Sequence, residues 1–113
     1  MIETIVIGYL NRHLTVPAYA ERQEEPPTEY VLVEKTGGGR RNLIEKATVA
    51  IQSYAGSKFR AAELNKEVKA AMEEITALDN VSGCYLNSDY DYTDTETKSY
   101  RYQAVYDITF FDE

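Results

Sequence analysis

The sequence predicts an α+β fold: a mostly antiparallel sheet of about four to five strands flanked by two helices, in the order α-β-β-β-α-β-β. Three observations carry this. Residues 43–54 and 100–110 alternate between apolar and polar side chains, the period of a half-buried strand. Residues 58–78 repeat apolar side chains every three or four positions, the period of an amphipathic helix. Short stretches rich in Gly, Asp, Asn and Pro separate the patterned segments.

From the start, Ile2, Ile5, Val6, Tyr9 and Leu10 recur at helical spacing, and Val16 before Pro17 ends the helix because a residue preceding proline avoids the helical region. A short strand is predicted within 16–22, and Pro26 and Pro27 impose an extended connection. Residues 29–36, centred on Tyr30, Val31, Leu32 and Val33, read as a strand. Gly37, Gly38 and Gly39 then break the pattern, and Arg40, Arg41 and Asn42 continue as a loop, the tip of a hairpin. In the returning strand, Leu43, Glu45, Ala47, Val49, Ile51 and Ser53 share the apolar face.

Ser57 is a good N-cap for the helix over 58–78, whose seam is Ala61, Leu64, Val68, Ala71, Ile75 and Leu78 with Met72 beside it. Residues 79–83 read as a turn. In the next strand, 84–92, Cys84, Leu86, Ser88 and Tyr90 are expected opposite Tyr85, Asn87, Asp89 and Asp91. The last strand sets Tyr100, Tyr102, Ala104, Tyr106, Ile108 and Phe110 on one face. Antiparallel neighbours joined by short loops, with both helices on one face, make a single domain over residues 1–113.

Composition narrows the function classes. The net charge is -7, and residues 84–113 hold seven acidic side chains against two basic ones, five of those net negative charges. Such a balance disfavours sequence-independent nucleic-acid binding, and a nucleic-acid module would need a basic stripe that is missing. One cysteine, Cys84, excludes an internal disulfide and fits a reducing compartment. The first residues lack a signal-peptide pattern, and no stretch approaches the about 20 apolar residues of a membrane span.

Enzyme chemistry finds little support. The only histidine, His13, falls near the end of the first helix, and nothing local activates Cys84. No nucleophile elbow is present. The acidic run Asp89, Asp91, Asp94 and Glu96 fails the calcium-loop template: Thr93 takes the third ligand position, Asp94 replaces the required glycine, and Tyr100 stands where a bidentate glutamate belongs. Gly37, Gly38 and Gly39 before Arg40 and Arg41 match no phosphate-loop spacing. No catalytic residue, metal or cofactor is expected. Gly38, Gly39, Arg40 and Arg41 are instead read as a loop reaching carboxylates of a neighbouring protein. Tyrosine is the unusual residue: there are ten, and six fall after residue 84, including Tyr85 and Tyr92. Tyrosines interleaved with aspartates suit protein–protein contact, self-association included.

Three blocks of the chain resemble a known family. They are Tyr30 to Gly38 (YVLVEKTGG); Ala47 to Ala55 (ATVAIQSYA) with the helix start Ala62, Glu63, Leu64 and Asn65; and Leu86 to Tyr92 followed by Tyr100 to Ile108 (YRYQAVYDI). In pattern and order these are similar to the small tail-terminator or tail-completion proteins of long-tailed, siphovirus-like phages and prophages of Gram-positive bacteria, over nearly the whole chain. The resemblance implies a non-enzymatic protein, assembled in the bacterial host cytoplasm and resident in the virion tail or neck. It forms a six-fold homomeric ring on the last ring of tail-tube protein, stops tail polymerisation and meets the head–tail connector proteins. Genome DNA passes through without specific binding, and no membrane is involved. Within that frame, Asp89, Asp91, Asp94 and Glu96 are candidates for an acidic channel lining that repels DNA, while Gly38, Gly39, Arg40, Arg41, Tyr85 and Tyr92 are candidates for subunit or partner contacts. A head-completion or neck-adaptor protein of the same virion is the nearest alternative. A small cytoplasmic ligand-binding α+β domain is a more distant one, to be recognised by a pocket with convergent titratable groups.

Overall fold

A five-stranded mixed sheet, its strands lying side by side in the order 18–19, 30–41, 44–55, 100–110 and 81–91, carries two helices on one face. The computed structural model describes residues 1–41 (of Arg41 the backbone only) and 43–111. Asn42, predicted in the loop, and Asp112 and Glu113, counted in the acidic segment, lie outside the described residues. The elements are α1 (Ile2–His13), β1 (Ala18–Tyr19), β2 (Tyr30–Arg41), β3 (Ile44–Ala55), α2 (Lys58–Met72), a 3-10 turn (Ile75–Ala77), β4 (Val81–Asp91) and β5 (Tyr100–Phe110).

The α+β class and the helix–strand order follow the patterning. The apolar stripe of α1 buries Ile2, Val6, Tyr9 and Leu10, and that of α2 buries Ala61, Leu64, Val68 and Met72. They meet the inner face of the sheet, where Val31, Val33, Ala47, Val49, Ile51, Ala104, Tyr106, Ile108 and Phe110 form one core. Each fully buried aliphatic side chain contributes roughly 1.5–3 kcal/mol. Ser57 caps α2 as its residue type suggests, its hydroxyl accepting the Arg60 amide at 3.2 Å, a contribution of about 1 kcal/mol.

Four features differ from the expectation, each for a local reason. The glycines at 37–39 are not a loop: β2 runs through them to Arg41, because β3 offers its backbone opposite every one of them. An irregularity between Lys35 and Gly37 absorbs the misfit, and Leu43, at φ 71°, sits in the turn that follows. β1, the short strand expected within 16–22, is two residues long and pairs parallel with β2, so the sheet is mixed and, as expected, mostly antiparallel. Asn11 holds its other side, accepting from the Ala18 amide at 2.8 Å and donating to the Ala18 carbonyl at 3.3 Å.

The second helix ends at Met72 instead of reaching Leu78. Its hydrogen bonds tighten to Glu74 N–H on the Ala71 carbonyl and Leu78 N–H on the Ile75 carbonyl, and this 3-10 path still buries Ile75. Val81, Ser82 and Gly83 belong to β4, not to a turn. Finally, a register shift between Leu86 and Ser88 resets the alternation of β4. Cys84 and Leu86 stay on the helix side, beside Met72 and Tyr106, whereas Tyr90 turns to the opposite face and meets Gln103. Asp89 in turn moves to the helix side, next to Asn65 and Lys69. One extra residue in a strand exchanges the faces of all that follow it.

Ile51 is fully buried at the centre of the core. Ile51→Ala is expected to lower the unfolding free energy by about 2–5 kcal/mol, read from urea denaturation with an unchanged slope.

Candidate interaction surface on the open sheet face

The face of the sheet turned away from the helices is built from alternate residues of β3, β5 and β4, and it is polar and aromatic. At one end a chain of side-chain hydrogen bonds crosses three strands. Tyr54 Oη donates to Gln52 Oε1 at 3.0 Å, Gln52 Nε2 to Gln103 Oε1 at 2.8 Å, and Gln103 Nε2 to Tyr90 Oη at 2.6 Å. Arg101 binds in beside it, Nη1 donating to Tyr54 Oη and Nε to the Tyr92 carbonyl, both at 2.8 Å. Its guanidinium lies 4.6 Å from the centre of the Tyr92 ring and 5.5 Å from that of Tyr54, a cation–π arrangement. Tyr54 stacks on Tyr30 at 4.6 Å, and Tyr90 meets Tyr92 edge to face at 5.9 Å. Tyr30 and Tyr54 are buried, but the exposed Tyr90 and Tyr92 rings are held in place before any partner arrives, which lowers the entropic cost of using them for contact.

At the other end lies a shallow hollow of about 520 Å³ whose lining includes Gly38, Gly39, Lys46, Thr48, Tyr85 and Asp107. The glycines contribute no side chain, so the strand backbone itself forms part of the floor. Asp107 is fixed there by the Thr48 hydroxyl at 3.1 Å and the Asn87 amide at 3.0 Å. Gly83 keeps this corner open: a Cβ on it would lie 2.7 Å from Thr109 Oγ1 and 3.3 Å from the Tyr85 ring, so a larger residue would displace one or both side chains. Tyr85 is 71% exposed, while Tyr90 and Tyr92 are each more than two-fifths exposed. Exposed aromatic rings on a rigid sheet are a common basis for protein contact.

The predicted residues separate into groups. Gly38, Gly39 and Tyr85 share the hollow, and Tyr92 belongs to the arginine cluster at the opposite end. Arg40 sits at the end of β2, 3.8 Å from Glu45, and the Arg41 side chain lies outside the described residues. The acidic residues take other positions. Asp89 and Asp91 project to the helix side, each 3.2 Å from a lysine, Lys69 and Lys58 respectively. Asp94 accepts the Glu96 and Thr97 amides in the connection between β4 and β5, at 3.0 and 3.4 Å. Arg101, Gln52 and Gln103 were not singled out from the sequence. Gln52 and Gln103 on the polar faces of alternating strands were the available signal, but their pairing depends on β3 lying beside β5.

His13 and Cys84 line different hollows, the first with Arg12, Glu73 and Glu74, the second with Lys69, Met72 and Leu86. Burial pushes the Cys84 thiol up to about 11, so it stays protonated at neutral pH. Among the described residues, no three His, Cys, Asp or Glu side chains gather as a metal site, and no helix is long and apolar enough to cross a membrane. No protein-family model and no curated protein matches the chain.

Three carboxylates tie the periphery to the sheet. The Arg60 guanidinium donates to Glu29 at 2.7 and 2.9 Å and holds that carboxyl below its ordinary range. Hydrogen bonds from Thr93 lower Asp91, and those from Thr97 and Glu96 lower Asp94. A folded pKa below the unfolded one stabilises the fold above the unfolded value, and the benefit is lost as pH falls through the folded value. Stability measured by urea denaturation is therefore expected to be flat from neutral pH down to about pH 4.5 and to fall below it. A Glu29→Gln, Asp91→Asn, Asp94→Asn variant should show a shallower fall.

Proposed function

We propose that this chain is a structural virion protein of a long-tailed phage, which caps the tail tube as a ring, ends tail polymerisation and forms the surface that joins tail to head. The likeness in pattern to tail terminators suggests the role. The observation that supports it best is the division of the sheet: both helices occupy one face, and the other presents Tyr85, Tyr90 and Tyr92 on a rigid platform. A protein that only joins others needs such a surface and no reactive group. Self-association into a homo-hexameric ring, with tail-tube and connector proteins as partners, is the use this reading gives to it.

The acidic character has a place in the same reading. Lys69 and Lys58 match Asp89 and Asp91, so repulsion of passing DNA would rest chiefly on Asp94 and Glu96. Screening at physiological salt limits that repulsion to about 8 Å, enough to keep a duplex from adhering to a narrow channel wall.

The test is to add the purified protein to polymerising tail-tube protein of the same gene cluster and measure tube ends and lengths by negative-stain electron microscopy. Tubes should become shorter and capped as protein is added, and Tyr85→Ala should lose capping with an unchanged melting temperature. Unchanged tube lengths together with binding to the portal complex would move the protein to the head side of the neck. Binding to neither would remove it from the virion.

A further inference from the structure

The two edges of the sheet are interrupted by irregularities, and between them lie two regular windows level with one another. β4 pairs with β5 alone, and beyond Leu32 the described residues place no strand beside β2 other than β3. Unpaired edges invite association, and proteins disrupt them with bulges and charges. Here β2 is irregular between Lys35 and Gly37, and the Glu3 carboxylate accepts the Lys35 amide at 3.2 Å. β4 is irregular between Val81 and Gly83 and again between Leu86 and Ser88. Regular backbone runs at 37–41 on one edge and 83–86 on the other; the further regular stretch of β4, 88–91, carries Asp89 and Asp91, both held to lysines of α2.

The register places these windows in the same rows. Gly37, Thr48, Asp107 and Tyr85 form one row across the sheet, and Gly39, Lys46, Thr109 and Gly83 form another. Every pairing from β2 through β3 and β5 to β4 is antiparallel, so β2 and β4 run in opposite directions. A second copy carried sideways along the sheet therefore brings its β4 antiparallel to this β2. The sizes match: exposed Tyr85 would stand beside Gly37, which has no side chain. The charges match too. Lys35 is level with Leu86 and Val33 with Asp89, so Lys35 becomes the diagonal neighbour of Asp89 on the same face.

We propose that copies of this chain associate head to tail, the 37–39 edge of β2 pairing with the 83–85 edge of β4 in the next copy, so that one sheet continues from subunit to subunit. The contact is heterologous and repeats until the rotation closes; it deepens the ring reading above and rests on it for closure.

The test is a Gly37→Cys, Tyr85→Cys, Cys84→Ser variant, oxidised mildly at high concentration, alone and on tail tubes. A Cβ at Gly37 meets nothing closer than 4.0 Å, so the fold accommodates it. Within one chain the two cysteines are three strand spacings apart, about 14 Å, too far for a disulfide. Each cross-link is therefore between copies, and a reductant-sensitive ladder on a gel is the expected result. Gly37→Val should keep its melting temperature while self-association, read by light scattering, weakens roughly tenfold or more. Copies that associate without cross-linking, and equally well with Gly37→Val, would overturn the edge pairing and leave the ring reading standing. No association of the unsubstituted chain at any concentration, alone or on tubes, would overturn both.

Discussion

The one-sidedness of β3 is the constraint on which the rest depends. This central strand buries Ala47, Val49, Ile51 and Ser53 against the helices and turns Thr48, Gln52 and Tyr54 to the other face, where Thr48 and Gln52 stay partly exposed and Tyr54 is covered by its neighbours. Burial of the first set against α1 and α2 decides where both helices go. Hydrophobic burial has no direction of its own, but the strict two-residue period of a strand gives it one. Once the helices are committed to that face, the other must satisfy itself with polar and aromatic groups. The amide–tyrosine chain from Tyr54 to Tyr90 does so.

The same period explains how much of the architecture was legible. α2, β3 and β5 could be read directly, because each keeps an unbroken pattern over several turns or pairs. β4 was legible as a strand but not in its faces, since the extra residue near Asn87 exchanges the faces of Tyr90, Asp89 and Asp91, and a bulge has no period of its own. The glycines at 37–39 misled in the other direction: with no side chains they carry no strand pattern, yet their backbone pairs with β3 as well as any. Their extended course follows from the partner strand, which residues 37–39 do not encode.

The candidate surface was half legible. Tyrosine abundance made Tyr85 a candidate and the glycine run made Gly38 and Gly39 candidates, but their shared hollow, Arg101 and the paired glutamines acquire meaning only from strand order. The acidic residues show the opposite case. A run of carboxylates read as one negative surface is divided by β4 itself, with Asp89 and Asp91 turned toward lysines of α2 and Asp94 used to organise the connection to β5. Sequence charge counts residues, whereas a surface potential depends on which of them face the same way.

The central claim is that the helix-covered face holds the fold and the open face with its adjoining edges meets other proteins. Hydrogen–deuterium exchange, measured with and without tail tubes, tests it most directly. The account predicts added protection at 37–40 and 83–92, with exchange in α1 and α2 unchanged. Capped tubes whose binding protects the helices and leaves the open face exchanging as before would contradict it.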